Sequence, residues 1–185
     1  KTYIMNIAIV GATGNVGRKT LDVLEKKELF IDNLYLVASS KSAGKKISFR
    51  DKEHEVFDLE NFDFSKVKIA FFAAGGKISE KFAEKAAKHC LVIDNSSFYR
   101  MDPDVPLIVP QVNSNHLDQI KKNIIANPNC STAQLVIALK PLHDLFVIKR
   151  IVVSTYQSVS GGGKAPMDEL IEQTKLVLDG KDVKS

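Results

Sequence analysis

Apolar positions along this chain fall into short unbroken runs, and between the runs they recur at helical spacing. Ile4 to Val10 is nearly continuous, the pattern of a strand buried on both faces. Leu34–Ala38, Val67–Ala74, Cys90–Asp94 and Ile124–Ala126 repeat that pattern, and Glu55–Leu59 reads as a short edge strand. The intervening segments are helical. Arg18–Lys27 places Val16, Thr20, Val23 and Leu24 on one face, and a helix capped at Ser79-Glu80 runs through His89 with Phe82, Ala83, Ala86 and Ala87 inward. Met101–Pro110 carries Pro103, Pro106 and Pro110 and is loop or edge, and Ser114 caps a short helix through Lys121. A helix from Thr132 to Phe146 follows, with Pro141 expected to kink it or end its first part. Ile148–Val159 has strand character, with Tyr156, Ser158 and Ser160 alternating against Gln157 and Val159. Ser160–Lys164 is a flexible turn, and Pro166 suits the first turn of a helix to Leu178 with Leu170, Ile171, Thr174, Val177 and Leu178 apolar. Strand alternating with helix predicts a doubly wound, Rossmann-type α/β domain over residues 1–130, with α+β character over 131–185.

Composition narrows the class. The 185 residues, with 44% hydrophobic and 26% charged, are those of an ordinary globular protein. A net charge of +4 on dispersed lysines argues against a nucleic-acid surface. The apolar runs are too short to span a membrane, and Met5–Val10 runs into a glycine turn rather than a cleavage site, so neither a membrane partner nor a signal peptide is expected. Two cysteines suit a reducing cytoplasm, and no His/Cys cluster has metal-ligand spacing.

The chemistry lies at the ends of the strands. Gly11-Ala12-Thr13-Gly14-Asn15-Val16-Gly17 stands between a strand and a helix, the context of a dinucleotide-binding turn, although its spacing is G-x-x-G-x-x-G. After the second strand comes Ser39-Ser40-Lys41-Ser42-Ala43-Gly44-Lys45-Lys46, where an NAD-binding fold would place a carboxylate. Hydroxyls and lysines there favour a 2′-phosphate, hence NADP over NAD. Ala73-Ala74-Gly75-Gly76 ends another strand and lets a ligand approach the backbone. Arg100 follows the Cys90–Asp94 strand and is a candidate anion clamp. Cys130, in Asn127-Pro128-Asn129-Cys130-Ser131-Thr132, sits at or near a helix N-terminus, where backbone N–H groups and the helix dipole stabilise a thiolate nucleophile. The competing reading is a small buried residue. Cys90 opens a strand and reads as structural. His54, His89, His116 and His143 read as surface or capping residues, which leaves Cys130 without an evident base.

The glycine turn, the Ser39–Lys45 loop, Asp94-Asn95-Ser96, Phe98-Tyr99-Arg100, the Asn127–Thr132 motif and Ser154-Thr155-Tyr156-Gln157-Ser158-Val159-Ser160-Gly161 together closely resemble the bacterial aspartate-semialdehyde dehydrogenases, over nearly all of the chain. The resemblance implies NADPH-dependent reductive dephosphorylation of aspartyl 4-phosphate, releasing inorganic phosphate and serving lysine, methionine, threonine and isoleucine synthesis. Cys130 then matches the nucleophile that forms an acyl-thioester, and Gln157 the residue that positions the substrate. Arg100 and Asn129 match phosphate-site groups. Gly11, Thr13, Gly14, Asn15 and Val16 match the pyrophosphate turn, and Ser160 and Gly161 the loop near the nicotinamide. Ser39, Lys41 and Ser42 match the 2′-phosphate site. Many relatives carry arginine where Lys41 stands, and a lysine supplies charge without the planar fork. Family members are close to twice this length, and their acid/base histidine, a glutamate, a substrate-binding arginine and most homodimer contacts lie beyond Ser185, so the resemblance makes 131–185 the beginning of an α+β catalytic and dimerisation domain. The rival enzyme reading is an N-acetyl-γ-glutamyl-phosphate reductase, and the non-catalytic rival is a fragment that binds NADP without turnover.

Overall fold

The computed structural model describes residues 5–27 and 29–183. Ile4 and the outermost ends of the two expected domains lie outside them. The chain divides into two compact units between Lys149 and Arg150.

In the first unit, β1 (Asn6–Val10), β2 (Asn33–Ala38), β3 (Lys46–Phe49), β4 (Lys52–Asp58), β5 (Ile69–Phe72), β6 (Leu91–Asp94) and β7 (Ile124–Ala126) form one seven-stranded sheet in the order β3-β4-β2-β1-β5-β6-β7. All pairings are parallel except β3 with β4. Strand order reverses at β1, which runs between β2 and β5, so a crevice opens beyond the carboxyl ends of those strands. The expected fold class holds. Glu55–Leu59 is not an edge strand: β4 begins earlier and pairs on both sides, and the edge is β3, which forms a hairpin with it through Arg50 and Asp51, both at positive φ.

Alternation sorts the strand residues into two cores. Ala8, Val10, Val37, Ala70, Phe72 and Val92 face α2 (Gly76–Ala87), where Phe82, Ala83, Ala86 and Ala87 pack inward as expected. Ile7, Ile9, Leu34, Leu36 and Val56 face α1 (Asn15–Lys26). The inward face of α1 differs from the expected one. Gly17, Leu21 and Leu24 are buried, whereas Val16 and Val23 are 46% and 47% exposed. The close approach of Gly17 to the backbone rotates the helix so that the stripe runs through it rather than through Val16. α2 starts at Gly76, earlier than the expected Ser79-Glu80 cap. Gly75, at φ +87°, is its N-cap, and Ser79 is a fully buried residue within the helix.

After β6 the chain runs through an irregular stretch to α3 (Pro110–Asn113), with Pro110 in its first turn, and then a short 3-10 segment at Ser114–Gln119 whose cap is Asn113 rather than Ser114. α4 (Cys130–Phe146) follows β7 closely and carries Pro141 without ending. The expected strand at Ile148–Val159 is absent: these residues pair with no other strand and are largely exposed from Ile151 onward. α5 (Lys164–Leu178) is preceded by a 3-10 turn at Val159–Gly162, and its expected apolar residues Leu170, Ile171, Val177 and Leu178 are exposed.

Gly17 fixes the α1–β1 approach, because a Cβ there would overlap the carbonyl oxygen of Gly11. Overpacking of this kind costs about 1–3 kcal/mol. Gly17→Ala should lower the urea midpoint accordingly, whereas Gly14→Ala, whose nearest contact would be 3.4 Å away, should leave it nearly unchanged.

Candidate active site

The glycine turn is wedged into the reversal point of the sheet. Gly11 N donates to Val37 O at 2.8 Å and Ala12 N to the same oxygen at 3.2 Å, which ties the turn to the end of β2. On the other side, a Cβ at Gly11 would stand 2.8 Å from the carbonyl carbon and oxygen of Ala73, just after β5. Gly11 adopts φ +86°, a conformation open to glycine. Gly14 N closes the turn on Gly11 O at 3.0 Å, and α1 begins at Asn15. The first turn of α1 therefore presents backbone N–H groups that have no acceptor inside the helix, and it carries no acidic residue. Gly14, Asn15 and Val16 are exposed and Thr13 is half-buried. A turn of this kind can cradle an anion that approaches through backbone.

Beyond β2, Ser39 is the N-cap of a 3-10 turn at Ser40–Ser42, closed by Ser42 N donating to Ser39 O at 2.8 Å. Ser39 and Lys41 are exposed. The acidic residue nearest in register is Asp58, which pairs with Ala38. Its carboxylate takes Glu60 N at 3.3 Å and Asn61 Nδ2 at 3.1 Å, so it is engaged in a local cap.

Asp94, the last residue of β6, is a fully buried carboxylate. It accepts from Ser79 Oγ (2.7 Å), Ser96 N (3.0 Å) and Ser96 Oγ (2.7 Å). Ser96 Oγ in turn accepts from Phe98 N at 3.1 Å. The chain is thereby wound back over the strand end as far as Arg100, whose N–H donates to Ser97 O. Asp94, Ser79, Asn95 and Asn127 were not singled out as functional on the sequence. The one available signal was an Asp at a strand end followed by serines, the pattern of a side-chain-stabilised turn.

Arg100 is half-buried and anchored on two carbonyls: Nε donates to Asn127 O at 2.9 Å and Nη2 to Asn95 O at 3.3 Å. Nη1 has no protein partner among the described residues. Asn127 begins the segment that leads to Cys130. Asn129 caps α4, its Oδ1 accepting from Ser131 N at 3.0 Å and Ser131 Oγ at 2.8 Å. Cys130 is the first residue of this 17-residue helix and is exposed, its Sγ donating to Asn129 Oδ1 at 3.6 Å. The structure thus places Arg100, Asn129 and Cys130 beyond the carboxyl ends of β6 and β7, with Arg100 bonded to the segment that leads to Cys130, and it sets aside the reading of Cys130 as a buried residue. Cys90 is buried as expected, and its Sγ donates to Ala86 O at 3.3 Å.

Gln157, Ser160 and Gly161 belong to the second unit. There the Gln157 side chain lies against Gly161, and the Ser158 and Ser160 hydroxyls are 2.8 Å apart. Of the four histidines, His89 and His143 stand at helix C-termini, His116 pairs with Asn113, and His54 meets Phe49 edge-on. Among the described residues no group of His, Cys, Asp and Glu could hold a metal ion. No described helix is long and apolar enough to cross a membrane.

Residues 6–120 match the family model for the semialdehyde dehydrogenase NAD binding domain, and 139–185 the semialdehyde dehydrogenase dimerisation domain. An aspartate-semialdehyde dehydrogenase of Legionella pneumophila is 52% identical over 96% of this chain and 52% of its own length. The crystal structure of aspartate semialdehyde dehydrogenase II complexed with ASA from Vibrio cholerae superposes with a TM-score of 0.93 at 48% identity, covering 100% of this chain and 55% of that one. The Candida albicans enzyme with NADP gives a TM-score of 0.64 at 30% identity, over 79% of this chain and 48% of that one. The chain spans about half the length of the curated relatives it matches.

The two thiols differ in environment, and their chemistry should follow. Burial pushes the Cys90 thiol up to about 11 from its ordinary 9.0. Iodoacetamide at neutral pH should therefore modify Cys130 alone, and Cys130→Ser should remove the native reaction, leaving Cys90 to react only in denaturant. Because the raised value favours the neutral thiol in the folded state, that stabilisation is complete below about pH 9 and is lost as pH rises towards 11. Urea midpoints of Cys90→Ala should fall less steeply than those of the unmodified chain across that window.

Proposed function

The chain belongs to the semialdehyde dehydrogenase family, and we propose that the protein carrying it catalyses the NADPH-dependent, reversible reductive dephosphorylation of aspartyl 4-phosphate to aspartate 4-semialdehyde. The observation that carries this reading is an exposed thiol at the first position of α4, at the same end of the sheet as an arginine clamp. Relatives at about half identity that bear the name support it. In the biosynthetic direction, the Cys130 thiolate attacks the acyl carbon, the C–O bond to phosphate breaks and a thioester forms on Sγ. Arg100 holds the phosphate through its unpartnered Nη1 edge, where a guanidinium matches two oxygens at once. Asn129 orients the thiol through its carboxamide and starts the helix whose first N–H groups stabilise the oxyanion. Gln157 positions the substrate.

The glycine cradle and the Ser39–Ser42 loop fit a dinucleotide, and a bound nicotinamide would supply the hydride that reduces the thioester. The α1 N-terminus, with Gly11, Thr13, Gly14, Asn15 and Val16, would hold the pyrophosphate. Ser39, Lys41 and Ser42 would hold a 2′-phosphate, and Asp58, the carboxylate in register with the end of β2, is turned to Glu60 N and Asn61 Nδ2. Ser160 and Gly161 would border the nicotinamide. The match of residues 139–185 to a dimerisation domain supports a homodimer, and the product would feed lysine, methionine, threonine and isoleucine synthesis in the cytoplasm.

Three assays test this. The protein at its relatives' full length should reduce NADP+ with aspartate semialdehyde and inorganic phosphate, Cys130→Ser should abolish that turnover, and acceptance of the acetylglutamyl substrate instead would overturn the assignment. Lys41→Glu should shift preference from NADP towards NAD, read as the ratio of kcat/KM for the two cofactors. The 185-residue chain by itself should bind NADPH, read by titration calorimetry, but turn over at least ~100-fold more slowly, since none of its histidines is placed as a general base and that group is typically worth ~100- to 10,000-fold.

A further inference from the structure

Arg100 does not aim itself. Its guanidinium is steered by two carbonyls, Asn95 O and Asn127 O, which belong to the loops leaving β6 and β7. The last paired residues of those strands are Asp94 and Ala126, so both carbonyls lie one step beyond the ladder. Two links hold the loops together there. Asn127 N donates to Asp94 O at 2.8 Å, which fixes the start of the second loop on the first strand. Asn127 Nδ2 donates to Asn95 Oδ1 at 2.6 Å, the one side-chain link between the two residues that carry the steering carbonyls. Both residues are half-buried, and their carboxamides bond to each other while Cys130 Sγ donates to Asn129. A backbone carbonyl is a useful anchor only while its own peptide is held: Ser96 N on Asp94 Oδ1 holds the peptide of Asn95, and the pair of carboxamides ties Asn127 to it.

We propose that Asn127 is a positioning residue for the phosphate site. Its carboxamide locks onto Asn95, holds the two carbonyls at the separation that Nε and Nη2 require, and so turns the remaining Nη1 edge of Arg100 towards the leaving phosphate. This rests on the acyl-phosphate reading above and adds to it a determinant of phosphate affinity distinct from the thiol. The bland role for the same bond, a loop staple with no link to Arg100, makes a different forecast: losses would then be independent of what stands at position 100.

The test is a double-mutant cycle on phosphate affinity in the protein at its relatives' full length, with inorganic phosphate as the probe and 31P line broadening as the readout. Asn127→Ala should weaken phosphate about tenfold, the size of one hydrogen bond lost to a charged group. Arg100→Ala should weaken it at least as much, and the double variant should be no weaker than Arg100→Ala alone. Asn95→Ala removes the same link from the other side and should reproduce the effect if Asn127→Ala folds poorly. Iodoacetamide should modify Cys130 at the same rate in Asn127→Ala as in the parent without phosphate. Additive losses in the double variant, unchanged phosphate affinity in both Asn127→Ala and Asn95→Ala, or no phosphate binding by the parent would overturn the proposal. Failure of the functional reading looks different: the parent would bind phosphate and show the cycle yet not turn over aspartate semialdehyde.

Discussion

A carboxylate removed from water must have its oxygens filled by donors, and the site end of this molecule is arranged around meeting that demand at Asp94. The three donors come from two places. Ser79 reaches in from the middle of α2, and Ser96 supplies both its N–H and its hydroxyl from the loop. Filling one carboxylate therefore ties a helix to a strand end and bends the following chain back on itself. Phe98 and Arg100 then take their places from successive turns of the same loop. The backbone carbonyl of Asp94 also takes the N–H of Asn127, so the path to the cysteine is tied to the same residue. Leaving any of those donors without its acceptor would cost the full desolvation of a buried polar group, roughly 1–3 kcal/mol, and would release the loop that presents the arginine.

What could be read from the sequence follows from how locally each feature is determined. β1, β2, β5, β6 and β7 were legible because a run of apolar residues bounded by turns has few other uses. Cys130 at a helix start was legible because Asn129-Cys130-Ser131 carries its own cap. The inward face of α1 was not, because Val16 and Gly17 compete for it, and the decision is made by the carbonyl of Gly11, a contact that hydropathy cannot register. β3 was missed because its hairpin turn uses Arg50 and Asp51 at positive φ, where glycine or asparagine is the usual signal. Ser79 looked like a cap because serine usually is one. Its partner, Asp94, lies on another strand and could not be inferred from spacing.

The region after α4 shows the same distinction from the other side. A helix closes its hydrogen bonds within itself, so α4 and α5 form with their apolar residues largely exposed, helped by local pairs such as Lys140 with Asp144 at 2.6 Å, Lys164 with Asp168, and Gln173 with Glu169 at 2.8 Å. A strand closes nothing by itself. Ile148–Val159 has the alternation and the β-branched residues of a strand, yet among the described residues nothing offers it a ladder, and it stays unpaired. Leu145, Phe146, Val152 and Leu178 are more than 70% exposed. Each unit thus leaves large apolar side chains in water, Leu145 and Phe146 in the first and Val152 and Leu178 in the second.

The two arrangements proposed to bind anions in the first unit are built from different chemistry, and that difference sets how each would respond to its surroundings. The cradle at α1 acts through peptide N–H groups and a helix dipole. Its strength would depend on close approach, and the glycines that bring β1, β5 and α1 together leave the backbone open to it. The arrangement at Arg100 would act through a planar guanidinium, whose donors lie in a fixed fork and so offer direction as well as charge. Direction is what the two carbonyls supply, and they do so by occupying Nε and Nη2 and leaving one edge over. A fixed backbone cradle suits a group that stays bound throughout a reaction. A side chain with one committed edge and one open edge suits an anion that has to arrive and leave.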